Sequence, residues 1–339
     1  MKTAVFFVLF LFFLSLVPGA GQAAMTVGFL VPASGLGDGS FNDMTYSGII
    51  EAKTRHNFPL VREHCQGGAE TDRQEALDKL IQRGAQIIVV NGWPYRNLVK
   101  SYARQYPERI FLLNDFPMAG IPNVISTVFA QHEGAFLAGA LAGWMTKTNK
   151  IGFIGGMEMP VIQAYQSGYR QGAHYANPEI QLVETMLAPA EDAFSGFASP
   201  SLGFGVASRM YNQDVDIIFG VAGLSNQGII QAARRHDRFV IGSEADQDQI
   251  APGSVLTSVM KRLDEATFSI LDLLFRGEYI QGIQYFGLKE GGIALSPMTH
   301  TNKSIPTEIL SRLSQVRSDI ITGRIEVSDP LLQTAGENE

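Results

Sequence analysis

Lys150-Ile151-Gly152-Phe153-Ile154-Gly155 is a short apolar run behind an Ala- and Gly-rich stretch, Ala135 to Thr146, that reads as a helix. It restarts a pattern that the chain has already run through once from Thr26-Val27-Gly28-Phe29-Leu30-Val31. In that first series Asn42 to Arg55 reads as a helix and Pro59 to Glu63 as a strand, and a helix opens at Thr71, where Thr71-Asp72-Arg73-Gln74 has capping-box spacing. Strands at Gln86 to Val90 and Ile110 to Asn114 flank a helix at Asn97 to Tyr106. The second series continues with strands at Gln181 to Glu184, Val215 to Phe219 and Phe239 to Gly242, and with helices at Ile162 to Tyr175, Phe204 to Asn212 and Gln227 to Arg235. Strands alternating with helices of this length predict parallel sheets built from right-handed crossovers. Two α/β lobes follow one another with no low-complexity linker, which implies several short crossings acting as a hinge. From Val255 on, a strand, a helix at Leu263 to Phe275, two strand-like pieces and a helix at Thr307 to Ile321 return to complete both sheets. The expected division is 25–129 plus about 258–283 for lobe 1, 130–257 plus about 284–327 for lobe 2, and a polar tail at 328–339.

The 339 residues suffice for two cores, since a single core stops growing near ~250 residues. Lys and Arg number 26 against 33 Asp and Glu, a net charge of −7, so the surface lacks the positive field that attracts phosphate backbones and nucleic acid is not an expected partner. The one cysteine, Cys65, forms no internal disulfide and leaves no four-cysteine zinc site. Lys2, the apolar run Ala4 to Val17 and the small residues up to Ala24 have the parts of a cleaved secretory signal peptide over residues 1–24. The run is short for a membrane span, which needs ~20 apolar residues. No cysteine stands at the junction to accept a lipid. The expected product is a freely diffusing periplasmic protein.

Ligands of open parallel sheets sit beyond the carboxyl ends of the strands, so the loops there are the place to look. Pro32 to Asp43 carries alternating glycines, but Ser40 stands where a dinucleotide fingerprint requires glycine. This loop instead gathers Asp38, Ser40 and Asn42 at a helix start, with Phe41 and Tyr46 on the first turns; helix capping alone needs fewer polar residues. Asn91-Gly92-Trp93-Pro94-Tyr95 offers Trp93 as a flat wall or as core. Asp115 ends an apolar strand and needs a donor, from backbone or from ligand. In the second series, Gly223 lies in a run of small residues, Glu244 follows a strand, and Lys261 ends another as a lone cation. Carboxylates facing a lysine suit a neutral, hydroxyl-rich ligand.

Gly37-Asp38-Gly39-Ser40-Phe41-Asn42, Ile154-Gly155-Gly156-Met157-Glu158-Met159-Pro160-Val161, Asp216-Ile217-Ile218-Phe219-Gly220 followed by Ala222-Gly223, and Glu244-Ala245-Asp246-Gln247 resemble the motifs of the basic membrane protein family. These are substrate-binding proteins of ABC importers and include purine nucleoside receptors, and the likeness runs from about Val27 to Val327. The resemblance implies a type I periplasmic-binding-protein fold closing on a nucleoside, with delivery to an inner-membrane ABC permease, no cofactor and a monomeric state. By motif, it implies Tyr46 and Phe197 as the two aromatic walls, Asp115 beside Asn42 at the base edge, and Glu244 with Lys261 near the ribose. Glu244 replaces the family's aspartate and so alters the sugar end.

A free nucleobase, a sugar or another small polar solute is the alternative ligand, and a sensor for a membrane receptor would share the pocket. An enzyme acting on nucleosides is disfavoured: Gly-x-Ser-x-Gly, His-Glu-x-x-His and Walker motifs are absent, and the six histidines show no i, i+4 pair.

Overall fold

The computed structural model describes residues 25–189 and 195–330. The expected signal peptide at residues 1–24 lies outside these, as does the tail beyond residue 330. In chain order the elements are β1 (Val27–Val31), α1 (Phe41–His56), β2 (Leu60–His64), α2 (Glu70–Gln82), β3 (Ile87–Asn91), α3 (Arg96–Gln105), β4 (Ile110–Asn114), β5 (Val124–Phe129) and α4 (Gln131–Met145). The second series is β6 (Lys150–Met157), α5 (Pro160–Ala176), β7 (Gln181–Ala188), α6 (Pro200–Tyr211), β8 (Ile217–Val221), α7 (Asn226–Arg235), β9 (Phe239–Glu244) and β10 (Val255–Lys261). It is followed by α8 (Leu263–Phe275), β11 (Gly282–Phe286), β12 (Ile293–Leu295) and α9 (Thr307–Ile321).

The strands form two six-stranded sheets, ordered β11-β5-β4-β3-β1-β2 and β12-β10-β9-β8-β6-β7. The orders superpose term by term, so β4 and β9 hold equivalent places. The first sheet is parallel throughout, and in the second only the β10–β12 pair is antiparallel. Because helices cover both faces, β1, β3 and β8 are buried at every residue, which is why they read as unbroken apolar runs. Among the described residues the chain passes between the sheets three times, at Phe129 to Gln131, at Lys261 to Leu263 and between β11 and β12.

Some sequence expectations shift locally. Helix α2 begins at Glu70 and not at Thr71, and its cap comes from Asp72, whose Oδ2 accepts from the Ala69 N–H at 3.1 Å. Strand β5 has no counterpart in the sequence reading. Its polar pair, Ser126 and Thr127, breaks the apolar run, yet both are fully buried because Ser126 Oγ exchanges hydrogen bonds with the Met118 backbone and Thr127 Oγ1 donates to Asn114 Oδ1 at 3.0 Å. The glycines of α4 and α5 also find a reason: a Cβ at Gly172 would sit 1.9 Å from the Phe136 carbonyl oxygen, so only glycine lets the two helices meet.

Candidate functional site

A cavity of about 190 Å³ opens between the carboxyl ends of the two sheets. From the first sheet its lining includes Leu36, Asp38, Phe41, Asn42, Trp93 and Asp115, and from the second Met157, Met159, Ile162, Phe197, Gly223 and Glu244. Asp38, Asn42, Trp93, Asp115, Phe197, Gly223 and Glu244, all proposed from sequence as ligand contacts, therefore meet around one space, while Tyr46 and Lys261 are not on its surface.

The loop after β1 is organised by its own acids. Asp38 accepts from the N–H groups of Ser40, Asn42 and Asp43, at 3.0, 2.9 and 3.2 Å, and Asp43 accepts from Gly37 and Gly39 at 2.8 and 2.7 Å. The positive end of α1 is thus neutralised by Asp38, so its carboxylate is engaged in capping even though it lines the cavity. Asn42, buried to 4% exposure, donates to Ser34 Oγ and the Gly35 carbonyl and accepts from Asn91 Nδ2 at 3.4 Å. Asn91 Oδ1 in turn accepts from Thr45 and Asn114, both at 3.2 Å. Buried amides on neighbouring strands thereby brace the floor of the site.

Phe41, at the first position of α1, packs its ring edge against Gly92 and lines the cavity. Five residues along a helix turn the side chain through about 140° relative to Phe41, so Tyr46 faces away. Its ring stacks on Phe29 at 6.1 Å between centroids, with the Arg62 guanidinium 4.8 Å over it. The aromatic wall on this side is therefore Phe41 with Trp93, whose indole is backed by Arg96 at 3.7 Å. Opposite stands Phe197, held over the second sheet by two glycines. A Cβ at Gly156 would lie 2.3 Å from Phe197 Cε1, and Gly223, at φ +52°, passes beneath its backbone. The Gly-Gly pair of the sequence motif is needed because Gly155 similarly faces Met186 Sδ at 2.4 Å from a would-be Cβ.

Asp115 follows β4, and Glu244 ends β9 at the equivalent place in the other sheet. Both adopt positive φ, +60° and +70°, a conformation that costs a non-glycine residue roughly 1–3 kcal/mol and turns both carboxyls into the cavity. Lys261, fully buried at the end of β10, donates to Asp115 Oδ2 at 2.7 Å, an ion pair that reaches from the second sheet to the first. Its ammonium is also surrounded by the rings of Tyr165, Phe129 and Phe41 at 5.3, 5.5 and 5.8 Å. Glu244 accepts a short hydrogen bond from Ser40 Oγ, the second polar link across the cavity. Burial pushes the Asp115 carboxyl above its usual range, and Lys261 opposes this. Burial likewise raises Glu244 to about 7, against the pull of Lys261 and Ser40 and with the repulsion of Asp38 and Asp115. The two carboxyls that the resemblance assigned to opposite ends of a ligand thus form one polar cluster around one lysine.

Phe41 and Ser40, which the sequence reading placed at the helix start without a ligand role, enter the site as part of the wall and as the partner of Glu244. Their signal was position: each sits at the junction of the loop and α1 in the same motif as Asp38 and Asn42.

The sequence pattern of the Bmp family, described as ABC transporter substrate-binding protein PnrA-like, matches residues 24–330. The chain is 30% identical over 300 residues to basic membrane protein A1 of Borrelia garinii subsp. bavariensis, covering 86% of this chain and 84% of that protein. It is 31% identical over 277 residues to basic membrane protein B of Borreliella burgdorferi, covering 77% of each. Among solved structures, an ABC transporter system solute-binding protein of Aeropyrum pernix K1 superposes with a TM-score of 0.81 at 26% identity, covering 90% of this chain and 94% of that one.

Proposed function

From the premise that this chain belongs to the Bmp family of PnrA-like ABC transporter substrate-binding proteins, which bind and do not catalyse, we propose that it captures a nucleoside, a purine nucleoside first, in the cavity between its two sheets. The observation that carries this reading is that aromatic rings and carboxyl groups from both sheets line one cavity. Phe41 and Trp93 come from the first sheet's side and Phe197 from the second's, with aliphatic and thioether side chains among the rest of the lining, and Asp115 and Glu244 add a carboxyl from each side. A flat base fits between rings, where each stack contributes ~1–3 kcal/mol. Ribose hydroxyls are donors that two carboxyls accept, and the Lys261 ammonium holds Asp115 ready for one of them. This reading moves Asp115 from the base edge to the sugar.

The division into lobes belongs to the same proposal, with the three crossings as the hinge; the expected boundaries near 258 and 283 move to these crossings, because β10 up to Lys261 lies in the second sheet and β11 up to Phe286 in the first, giving 25–129 plus about 262–286 and 130–261 plus about 287–327. So does the route: export by the N-terminal signal peptide, a monomeric life in the periplasm without a lipid anchor, and delivery to an inner-membrane ABC permease. No helix among the described residues is long and apolar enough to cross a membrane.

Isothermal titration of the mature protein with adenosine, guanosine, inosine, the free bases and ribose tests the ligand. Binding of a nucleoside at least tenfold tighter than its base and sugar supports the reading. Tightest binding to a free base or sugar would instead favour the alternative that the longer Glu244 has displaced ribose.

A further inference from the structure

We propose that closing the two sides of the cavity over the ligand takes up one proton at Glu244, so that capture is tighter in mildly acidic solution than at pH 8. The inference deepens the ligand-binding reading above and rests on it for the identity of what is captured. Its basis is a count of charges in a closed space. Among the described residues three carboxyl groups, Asp38, Asp115 and Glu244, line the cavity, and the one cation beside them, Lys261, is fully buried and donates to Asp115. Asp38 is held by the three N–H groups that it caps. Among the described residues Glu244 has neither an ion-pair partner within 4 Å nor a backbone donor; its contact is the Ser40 hydroxyl, a neutral group on the other side of the cavity.

The groups that face Glu244 come from four directions. Ser40 and Asp38 stand on the loop before α1, Asp115 follows β4, Lys261 lies on β10 next to the strand that carries Glu244, and the Tyr165 hydroxyl of α5 is buried without a hydrogen-bond partner among the described residues. Asp38 and Asp115 repel a charge at Glu244, and Lys261 attracts one but shares its field with Asp115. Because Ser40, Asp38 and Asp115 all belong to the first sheet and Glu244 to the second, their separation on opening removes the repulsion and returns the carboxyl to water.

The sign follows from which state holds the proton. With Ser40 across from it as in this structure, burial raises Glu244 to about 7; opened into solvent, it would approach its ordinary value of 4.5. Between those values the closed form binds more protons, so closure is favoured fully below the lower value and loses that advantage as pH rises towards the higher one. The exposed part of Glu244 faces the cavity, where a ligand covers it and keeps the proton in place. The family-typical aspartate is a methylene shorter, so the reach across to Ser40 belongs to the glutamate.

The test is calorimetric titration of the mature protein with the tightest nucleoside of the panel at pH 6, in two buffers of unequal ionisation enthalpy, together with Kd measured from pH 5 to 8. The expected result is uptake of close to one proton and a Kd that rises about tenfold or more from pH 5 to pH 7, with both effects absent in Glu244→Gln. Buffer-independent heats and a flat Kd in the wild type would overturn the proposal, and so would an unchanged pH profile in the variant. If no nucleoside, base or sugar binds at either pH 5 or pH 8, the ligand reading fails separately. The linkage is then read without ligand, by small-angle scattering: the wild type should expand between pH 5 and pH 8 while Glu244→Gln does not, and a pH-invariant wild-type radius would count against it.

Discussion

Replacing Gly156 by alanine places one methyl group against the face of the Phe197 ring. The new Cβ would lie 2.3, 2.5 and 2.7 Å from Cε1, Cδ1 and Cζ of that ring. All three are side-chain atoms, so the ring can yield while the strand stays. Restoring ordinary contact needs a retreat of about 1 Å, and the ring has the cavity in front of it. The stability cost should be that of modest overpacking, about 1–3 kcal/mol. The binding cost should approach the worth of one aromatic stack, ~1–3 kcal/mol, which is about a 5- to 150-fold rise in Kd at 1.36 kcal/mol per decade. Titration calorimetry at a temperature well below the variant's Tm, with Tm taken from circular dichroism, separates the two. Phe197→Ala and the double variant Gly156→Ala/Phe197→Ala complete a cycle in which the methyl has nothing left to displace, so the double variant should bind like Phe197→Ala. A Gly156→Ala protein that folds and binds within twofold of the wild type would refute the claim that Phe197 forms a wall of the site.

The helical geometry of α1 predicts that Phe41→Ala weakens ligand binding tenfold or more while Tyr46→Ala leaves Kd within twofold, measured by the same titration. Lys261→Met strands a buried carboxylate on Asp115 and should destabilise the protein by about 3–5 kcal/mol in urea unfolding, and adding Asp115→Asn should recover part of that loss. Asp38→Ala removes the cap of α1 and should cost about 0.5–2 kcal/mol in stability; a larger effect on Kd than on stability would show that Asp38 serves the ligand more than the helix.

Parallel strands covered on both faces read as near-continuous apolar runs, which made β4 legible to the residue, as were helices α8 and α9, and the restart at Lys150 revealed two sheets of the same kind. Strand β5 escaped because its Ser126 and Thr127 are buried through hydrogen bonds to residues on β4 and the loop after it, partners that no local pattern shows. The candidate site was legible as a set of strand-end loops, since topology alone brings such loops together.

What the amino-acid order determined by itself was the alternation of strands and helices, the duplication of the sheet, and the residue types waiting at strand ends: Asp115, Glu244, Lys261 and the glycine-flanked aromatics. What only the tertiary structure decided was which of them meet. The turn of α1 sends Tyr46 to Phe29 and gives the wall to Phe41. The Lys261–Asp115 pair joins positions 146 residues apart, and Glu244 lies in the field of that lysine because equivalent strands of two sheets point their ends at each other. Periodicity encodes the face on which a side chain stands within its own element, whereas the distance between elements is fixed by how their buried faces pack.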